Sequence, residues 1–105
     1  MAAHSTLNPF FRPRGVAIIG ASADPTKLGY GLARNLIHSH YQGEIYFVNP
    51  KGGKLLGRTI VPSIALVPDP VDLAAILIPA IFVPGALREC GERGIQAAII
   101  GAGGF

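Results

Sequence analysis

GVAIIGASADPTKLGYG, residues 15–31, decides the fold. Gly15–Ile19 is predicted to form a short strand, apolar from Val16 to Ile19, Gly20-Ala21-Ser22 breaks it, and helical periodicity sets in near Lys27. A strand that turns through small residues straight into a helix leaves backbone N–H groups unpaired at the helix N-terminus. The helix dipole favours negative charge there, so the natural guest of such a loop is a phosphate. Nucleotide-type binding is the first expectation.

Outward from this stretch, a first helix is predicted over Leu28–His38, with Leu28, Leu32, Ala33, Leu36 and Ile37 on one face. Glu44–Val48 reads as a second strand, stopped by Asn49-Pro50. The polar turn Lys51-Gly52-Gly53-Lys54, then Leu55-Leu56-Gly57-Arg58, predicts a tight bend and a short extended piece. Ser63 is placed to cap a brief helical turn through Val67. Leu73–Ile78 is apolar on both faces, as a strand covered by helices on both sides must be.

A second helix is predicted over Phe82–Arg93, with Val83, Ala86, Leu87 and Cys90 on one face and Pro84 in the first turn, where proline is tolerated. Ala97–Ile100 reads as a fourth strand, followed by Gly101 and a glycine-rich run to Phe105. Alternating strands and helices predict the α/β class, a doubly wound (Rossmann-like) parallel sheet. That sheet stops after its fourth strand, where a covering helix is due, so a piece of a longer protein is expected. Residues 1–13 are expected to be a lead-in, with Phe10 and Phe11 packed on the domain edge, and residues 14–105 the domain itself.

A chain of 105 residues, half apolar and 14% charged, has room for one small domain. No apolar run approaches the roughly 18 residues of a membrane span, and the N-terminus lacks a signal core. One cysteine excludes an internal disulfide. A cytoplasmic protein is expected. Of the net charge of +3, residues 1–60 carry +5 and residues 61–105 carry −2, so the basic excess lies with the phosphate-type loop. There is no basic cluster with interleaved aromatics and no zinc-finger spacing, which argues against nucleic acid.

The dinucleotide fingerprint G-x-G-x-x-G is broken, because Ser22 and Pro25 stand where its second and third glycines belong. An NAD site also wants an acid after the second strand to grip the ribose, and here Val48-Asn49-Pro50-Lys51 offers a lysine. A lysine attracts a ribose phosphate. NADP, or another adenine nucleotide with an extra phosphate, therefore remains, and coenzyme A is such a molecule. The Walker A pattern is absent.

F-x-P-x-x-V-A-I-I-G-A-S over residues 11–22, P-x-K-x-G over 25–29, Asn35-Leu36 and VNPK over 48–51 follow one another in order. PVDLAAILIP over 70–79, CGERG over 90–94 and a terminal GGF complete the pattern. In this the chain resembles the N-terminal coenzyme A-binding domain of the ADP-forming acyl-CoA (acetate–CoA) synthetases. More distantly, it is similar to the succinyl-CoA synthetase α subunit.

The resemblance covers about residues 8–105 and implies three contact segments for the coenzyme. Gly20, Ala21, Ser22, Lys27 and Gly29 in the first loop, and Val48, Asn49, Pro50 and Lys51 after the second strand, hold its phosphates and adenine. Ile78, Pro79 and Ala80 after the third predicted strand border its pantetheine arm. It further implies that ATP or ADP with Mg, and the phosphohistidine, belong to other domains or a partner subunit, so that no residue of this chain is catalytic. The parent would interconvert acyl-CoA, ADP and phosphate with acid, ATP and coenzyme A.

Two other functions suit the same residues: a non-catalytic sensor of coenzyme A or its acyl esters, fused to or regulating an acetyltransferase, and an NADP-binding domain. Ser22 has no G-x-S-x-G elbow around it and reads as a capping or phosphate-donating hydroxyl. His4, His38 and His40 read as surface residues with no metal, Cys90 as packing, Asp72 as a turn residue, and Lys54 and Arg58 as surface charges.

Overall fold

The computed structural model describes residues 12–101. Phe10, Phe11, His4 and the terminal GGF lie outside them. Gly15–Ile19 forms β1, Leu28–His38 α1 and Glu44–Val48 β2, with the boundaries that the sequence predicts. A hairpin of β3 (Lys54–Leu55) and β4 (Arg58–Val61) comes next, then a 3-10 turn at Ile64–Leu66 and β5 (Leu73–Ile76). A second 3-10 turn, Ala80–Phe82, leads into α2 (Val83–Arg93), and β6 (Ala97–Ile100) ends the described chain.

The strands form one sheet in the order β3-β4-β2-β1-β5-β6. Every pairing is parallel except the β3–β4 hairpin. The chain winds from β1 outward through β2 to β4, then crosses back to lay β5 on the other side of β1. The crevice between the carboxyl ends of β1 and β5 is the reversal point where doubly wound sheets bind ligands.

β1 is buried throughout, and its alternation sorts the core into two layers. Val16 and Ile18 pack with Ala33 of α1, Phe47, Ile60 and Leu73 on one face. Ala17 and Ile19 pack with Val48, Ile64, Ala74, Ile76 and, from α2, Ala86 and Cys90 on the other. Burial pushes the Cys90 thiol pKa up, with the neighbouring Glu89 charge adding to it, so the group is a packing residue.

Four sequence expectations are corrected. The sheet has six strands rather than four: the extended piece after Gly57 is longer than predicted and pairs beside β2, through Phe47 with Ile60 and Val48 with Val61. Its hairpin turn hides in the sequence because Leu56, at φ 51°, occupies a position where asparagine usually announces such a turn. The predicted strand Leu73–Ile78 ends at Ile76, and α2 begins one residue later than predicted. Leu28 and Leu87 were expected on core faces but are 60% and 40% exposed, Leu28 as the first residue of its helix at the open carboxyl edge of the sheet.

Asp72 does more than turn the chain. Its carboxylate accepts hydrogen bonds from the Arg14 backbone N–H (2.8 Å), Nε (3.0 Å) and Nη2 (2.8 Å). Its own N–H donates to the Gly15 carbonyl at 2.9 Å. This bidentate pair fixes the start of β1 against the start of β5, at the sheet edge opposite the crevice. The Arg14 hydrogen bonds hold the Asp72 carboxyl below the usual carboxylate range despite burial.

Asp72→Ala is expected to lower the stability of the chain by about 1 kcal/mol in urea unfolding, because the Arg14 backbone N–H loses its acceptor while the exposed guanidinium turns to water. A folded-state pKa below the unfolded one means this contribution is complete above about pH 4 and is lost as pH falls through the lower folded value. The gap between wild type and variant should close below that pH.

Candidate functional site

At the carboxyl ends of β1, β2, β4 and β5 lies a groove of about 1070 Å³, on the scale of a large ligand site. Its shape starts with glycine. Gly20 turns the chain off β1 at φ 97°, and a Cβ there would collide with the Leu77 carbonyl. A Cβ on Gly29 would collide with the carbonyl of Gly20 itself, so α1 can start flush against the end of β1 only because residue 29 has no side chain.

Helix α1 enters the groove uncapped. Lys27 occupies the N-cap position without a capping hydrogen bond, and no acidic residue stands in the first turn. The N–H groups of Leu28 and Gly29 have no acceptor among the described residues. Ser, Thr, Asp or Asn would ordinarily sit at such an N-cap, and an acid in the turn would offset the dipole. Here a lysine adds positive charge to the positive end of the helix. The arrangement lowers its electrostatic energy when an anion arrives.

The nearby acid, Asp24, is turned to local use. Its carboxylate accepts from the Thr26 N–H (2.9 Å) and hydroxyl (2.7 Å), bonds that keep its pKa low. Ser22 is likewise engaged, its Oγ accepting from the Asp24 N–H at 3.0 Å. The hydroxyl proton of Ser22 is left to donate.

Asn49 ties the segments together. Its Nδ2 donates to the Ala21 carbonyl at 3.0 Å, its Oδ1 accepts from the Lys51 N–H at 3.0 Å, and its own N–H donates to the Val61 carbonyl at 2.9 Å. One side chain thereby ties the first loop to the Lys51 turn, and the backbone of the same residue ties both to the end of β4. Lys51 is exposed at the groove wall, in the segment after β2.

Of the twelve residues that the sequence singles out, Gly20, Ser22, Lys27 and Gly29 line this groove from the first loop. Val48, Asn49, Pro50 and Lys51 line it from the segment after β2, and Ile78 and Pro79 from the segment after β5. Two do not. Ala21 is fully buried beneath the loop and faces the α1-side core, offering only its carbonyl, which Asn49 occupies. Ala80 is exposed outside the lining, because the 3-10 turn carries it outward from Pro79.

The groove also recruits residues that sequence reading missed: Thr26, Pro62 and Ser63, and from the α2 wall Phe82, Gly85 and Glu89. Thr26 belongs to the first loop, and Pro62 and Ser63 became legible only once β4 was placed beside β2. The second carries a faint signal, a glycine inside a helix with its neighbours at helical spacing. Among the described residues no group of three or more His, Cys, Asp or Glu is set to hold a metal. No helix among them is long and apolar enough to cross a membrane.

Gly29→Ala is expected to destabilise the chain by roughly 1–3 kcal/mol in thermal or urea unfolding, since backbone must shift to admit the methyl group. Gly31→Ala, in the next half-turn where a Cβ meets nothing within 4 Å, should match or exceed wild-type stability.

A family model described as "CoA binding domain" matches residues 14–105. Among curated proteins, the chain is 46% identical over 104 residues to the ADP-forming acetate–CoA ligase I subunit alpha of Pyrococcus furiosus, covering 95% of this chain and 22% of that one. It is 43% identical over 93 residues to the ADP-forming acetate–CoA ligase of Methanocaldococcus jannaschii, covering 89% of this chain and 13% of that one. The dinucleotide-forming acetyl-coenzyme A synthetase 1 of Ca. Korarchaeum cryptofilum, solved with phosphate and ADP, superposes with a TM-score of 0.87 at 37% identity over 94% of this chain and 21% of that one. The chain thus spans about a fifth or less of the length of these relatives. The broken dinucleotide fingerprint, the lysines at the crevice and a match over nearly the whole chain agree: this chain belongs to the family of CoA-binding domains.

Proposed function

We propose that this chain holds coenzyme A as the N-terminal unit of a cytoplasmic, ADP-forming acyl-CoA synthetase. The observation that carries the reading is the uncapped N-terminus of α1, with Lys27 upon it and Lys51 across the groove. Together they make an anion site with two cationic arms.

In this reading the diphosphate of the coenzyme lies at the N–H groups of Leu28 and Gly29 beside Lys27. The Ser22 hydroxyl donates to it. Lys51 faces the 3′-phosphate, which NAD lacks. Ile78 and Pro79 guide the pantetheine arm toward the β5–β6 side, where the thiol meets the rest of the ligase. Ala21 and Asn49 act on the ligand indirectly, by fixing the loops.

The chain's share of the chemistry is to bind, orient and neutralise charge, so that the thiol arrives already positioned. ATP or ADP, Mg and the acid substrate fall to other domains or a partner subunit. The half-exposed Ile99 and Ile100 on the edge strand β6 offer a surface for such a neighbour.

Titration calorimetry of the chain with coenzyme A and with dephospho-coenzyme A tests the reading. Loss of the 3′-phosphate should weaken binding about ten-fold, the scale of one charge-assisted contact. Lys51→Ala should remove most of that difference while leaving dephospho-coenzyme A affinity nearly unchanged. Absence of coenzyme A binding, or NMR shift changes confined to residues far from 20–29 and 48–51, would sink it.

A further inference from the structure

The Lys51 turn hangs on one residue. Asn49 Oδ1 accepts from the Lys51 N–H at 3.0 Å, and the Asn49 backbone carbonyl accepts from the Gly52 N–H at 2.8 Å. Among the described residues these are the hydrogen bonds that the backbone of residues 51 and 52 donates. The chain is next held at Gly53, whose carbonyl accepts from the Ile60 N–H at 2.8 Å. Gly52 and Gly53 stand at φ 64° and 100°, and neither brings a side chain to pack. Lys51 itself is exposed and makes no ion pair among the described residues.

The amide that carries this turn is oriented from its other end. Nδ2 donates to the carbonyl of the fully buried Ala21 at 3.0 Å. A flipped amide would set its oxygen against that carbonyl and its NH2 against the Lys51 N–H, so one orientation alone satisfies both partners. The backbone around it is pinned as well. The Val48 carbonyl accepts from the Gly20 N–H at 2.9 Å, and the Asn49 N–H donates to the Val61 carbonyl at 2.9 Å. An exposed lysine on a glycine-rich turn is thereby referenced to the ends of β1, β2 and β4.

An exposed lysine gains little from an anion in water, about five-fold in affinity or less, because side-chain entropy and screening offset the attraction. Fixing its backbone in advance removes part of that cost. We infer that Asn49 is the positioning residue of the anion site: by tying the Lys51 turn to the first loop, it supplies most of the preference for a ligand that carries the 3′-phosphate. This rests on the coenzyme A reading above and deepens it. Selectivity belongs to the amide that places the lysine as much as to the charge of the lysine.

The readout is the ratio of coenzyme A to dephospho-coenzyme A affinity, measured by calorimetry on the full chain, because a fraction of unfolded protein leaves that ratio unmoved. Wild type should show about ten-fold. Asn49→Ala, which keeps Lys51, should bring the ratio down to about two-fold. Asn49→Ser should fall between the two, since its hydroxyl can accept from the N–H two residues on but is too short to keep the Ala21 contact. In a Lys51→Ala background, adding Asn49→Ala should leave the ratio where it is, as expected of a residue that acts through the lysine. A wild-type ratio retained in Asn49→Ala overturns the inference; should that variant not fold, a wild-type ratio in Asn49→Ser does so. Coenzyme A binding in wild type with no preference for the 3′-phosphate overturns it too, while the coenzyme reading stands. If wild type binds neither ligand, the coenzyme reading falls with it.

Discussion

The contact between Gly29 and the Gly20 carbonyl is the constraint from which the rest of the upper edge follows. It sets the first turn of α1 against the end of β1 with no room for a side chain between them. The first residues of the helix, Leu28 and Gly29, then line the groove at the sheet's carboxyl edge. Because neither a capping side chain nor an acid compensates them, the positive end of the helix dipole stays available. A lysine at the N-cap position makes sense only on those terms.

The two edges of the sheet divide the work. At the amino edge, Arg14 and Asp72 form a bidentate pair that holds the central strands in register and is satisfied within the chain. At the carboxyl edge, the charged groups of the groove are left open toward it: Lys27, Lys51 and Glu89 make no ion pair among the described residues. Arg93 sits between these regimes, bound to Val67 and Asp69 in a way that releases its helical neighbour. Charges that anchor are paired, and charges that could meet a ligand are not.

How much of this was legible differs from element to element. β1, α1 and β2 were readable to the residue, since Val16–Ile19 is a fully buried run and the Leu32–Ile37 stripe has clear helical spacing. The Ser63 cap was equally plain, and its hydroxyl accepts from the Ala65 N–H at 3.1 Å. β4 was underread because only Ile60 of its four residues is buried, which gives hydrophobic periodicity nothing to grip. Leu28 and Leu87 satisfied the helical pattern but are exposed, because spacing along a helix does not record how far the neighbouring elements reach over its face.

For the site, the glycine loop, the lysine after β2 and the proline after β5 lie at strand ends, and strand ends in a parallel sheet gather at one edge by topology alone. The sequence by itself therefore determined the fold class, the edge that carries the groove and the excess of lysine over acid in the loops there. Only tertiary structure decided which of those residues face the groove. Ala21 turned into the core and Asn49 spent its amide on holding the loops. The wall formed by Phe82 and Glu89 belongs to a helix packed against the 3-10 turn at Ile64–Leu66, and that turn follows a strand placed by pairing partners 13 residues apart, Phe47 with Ile60. Periodicity records which side of an element is apolar; it carries no record of what that element packs against, and a groove is made of such pairings.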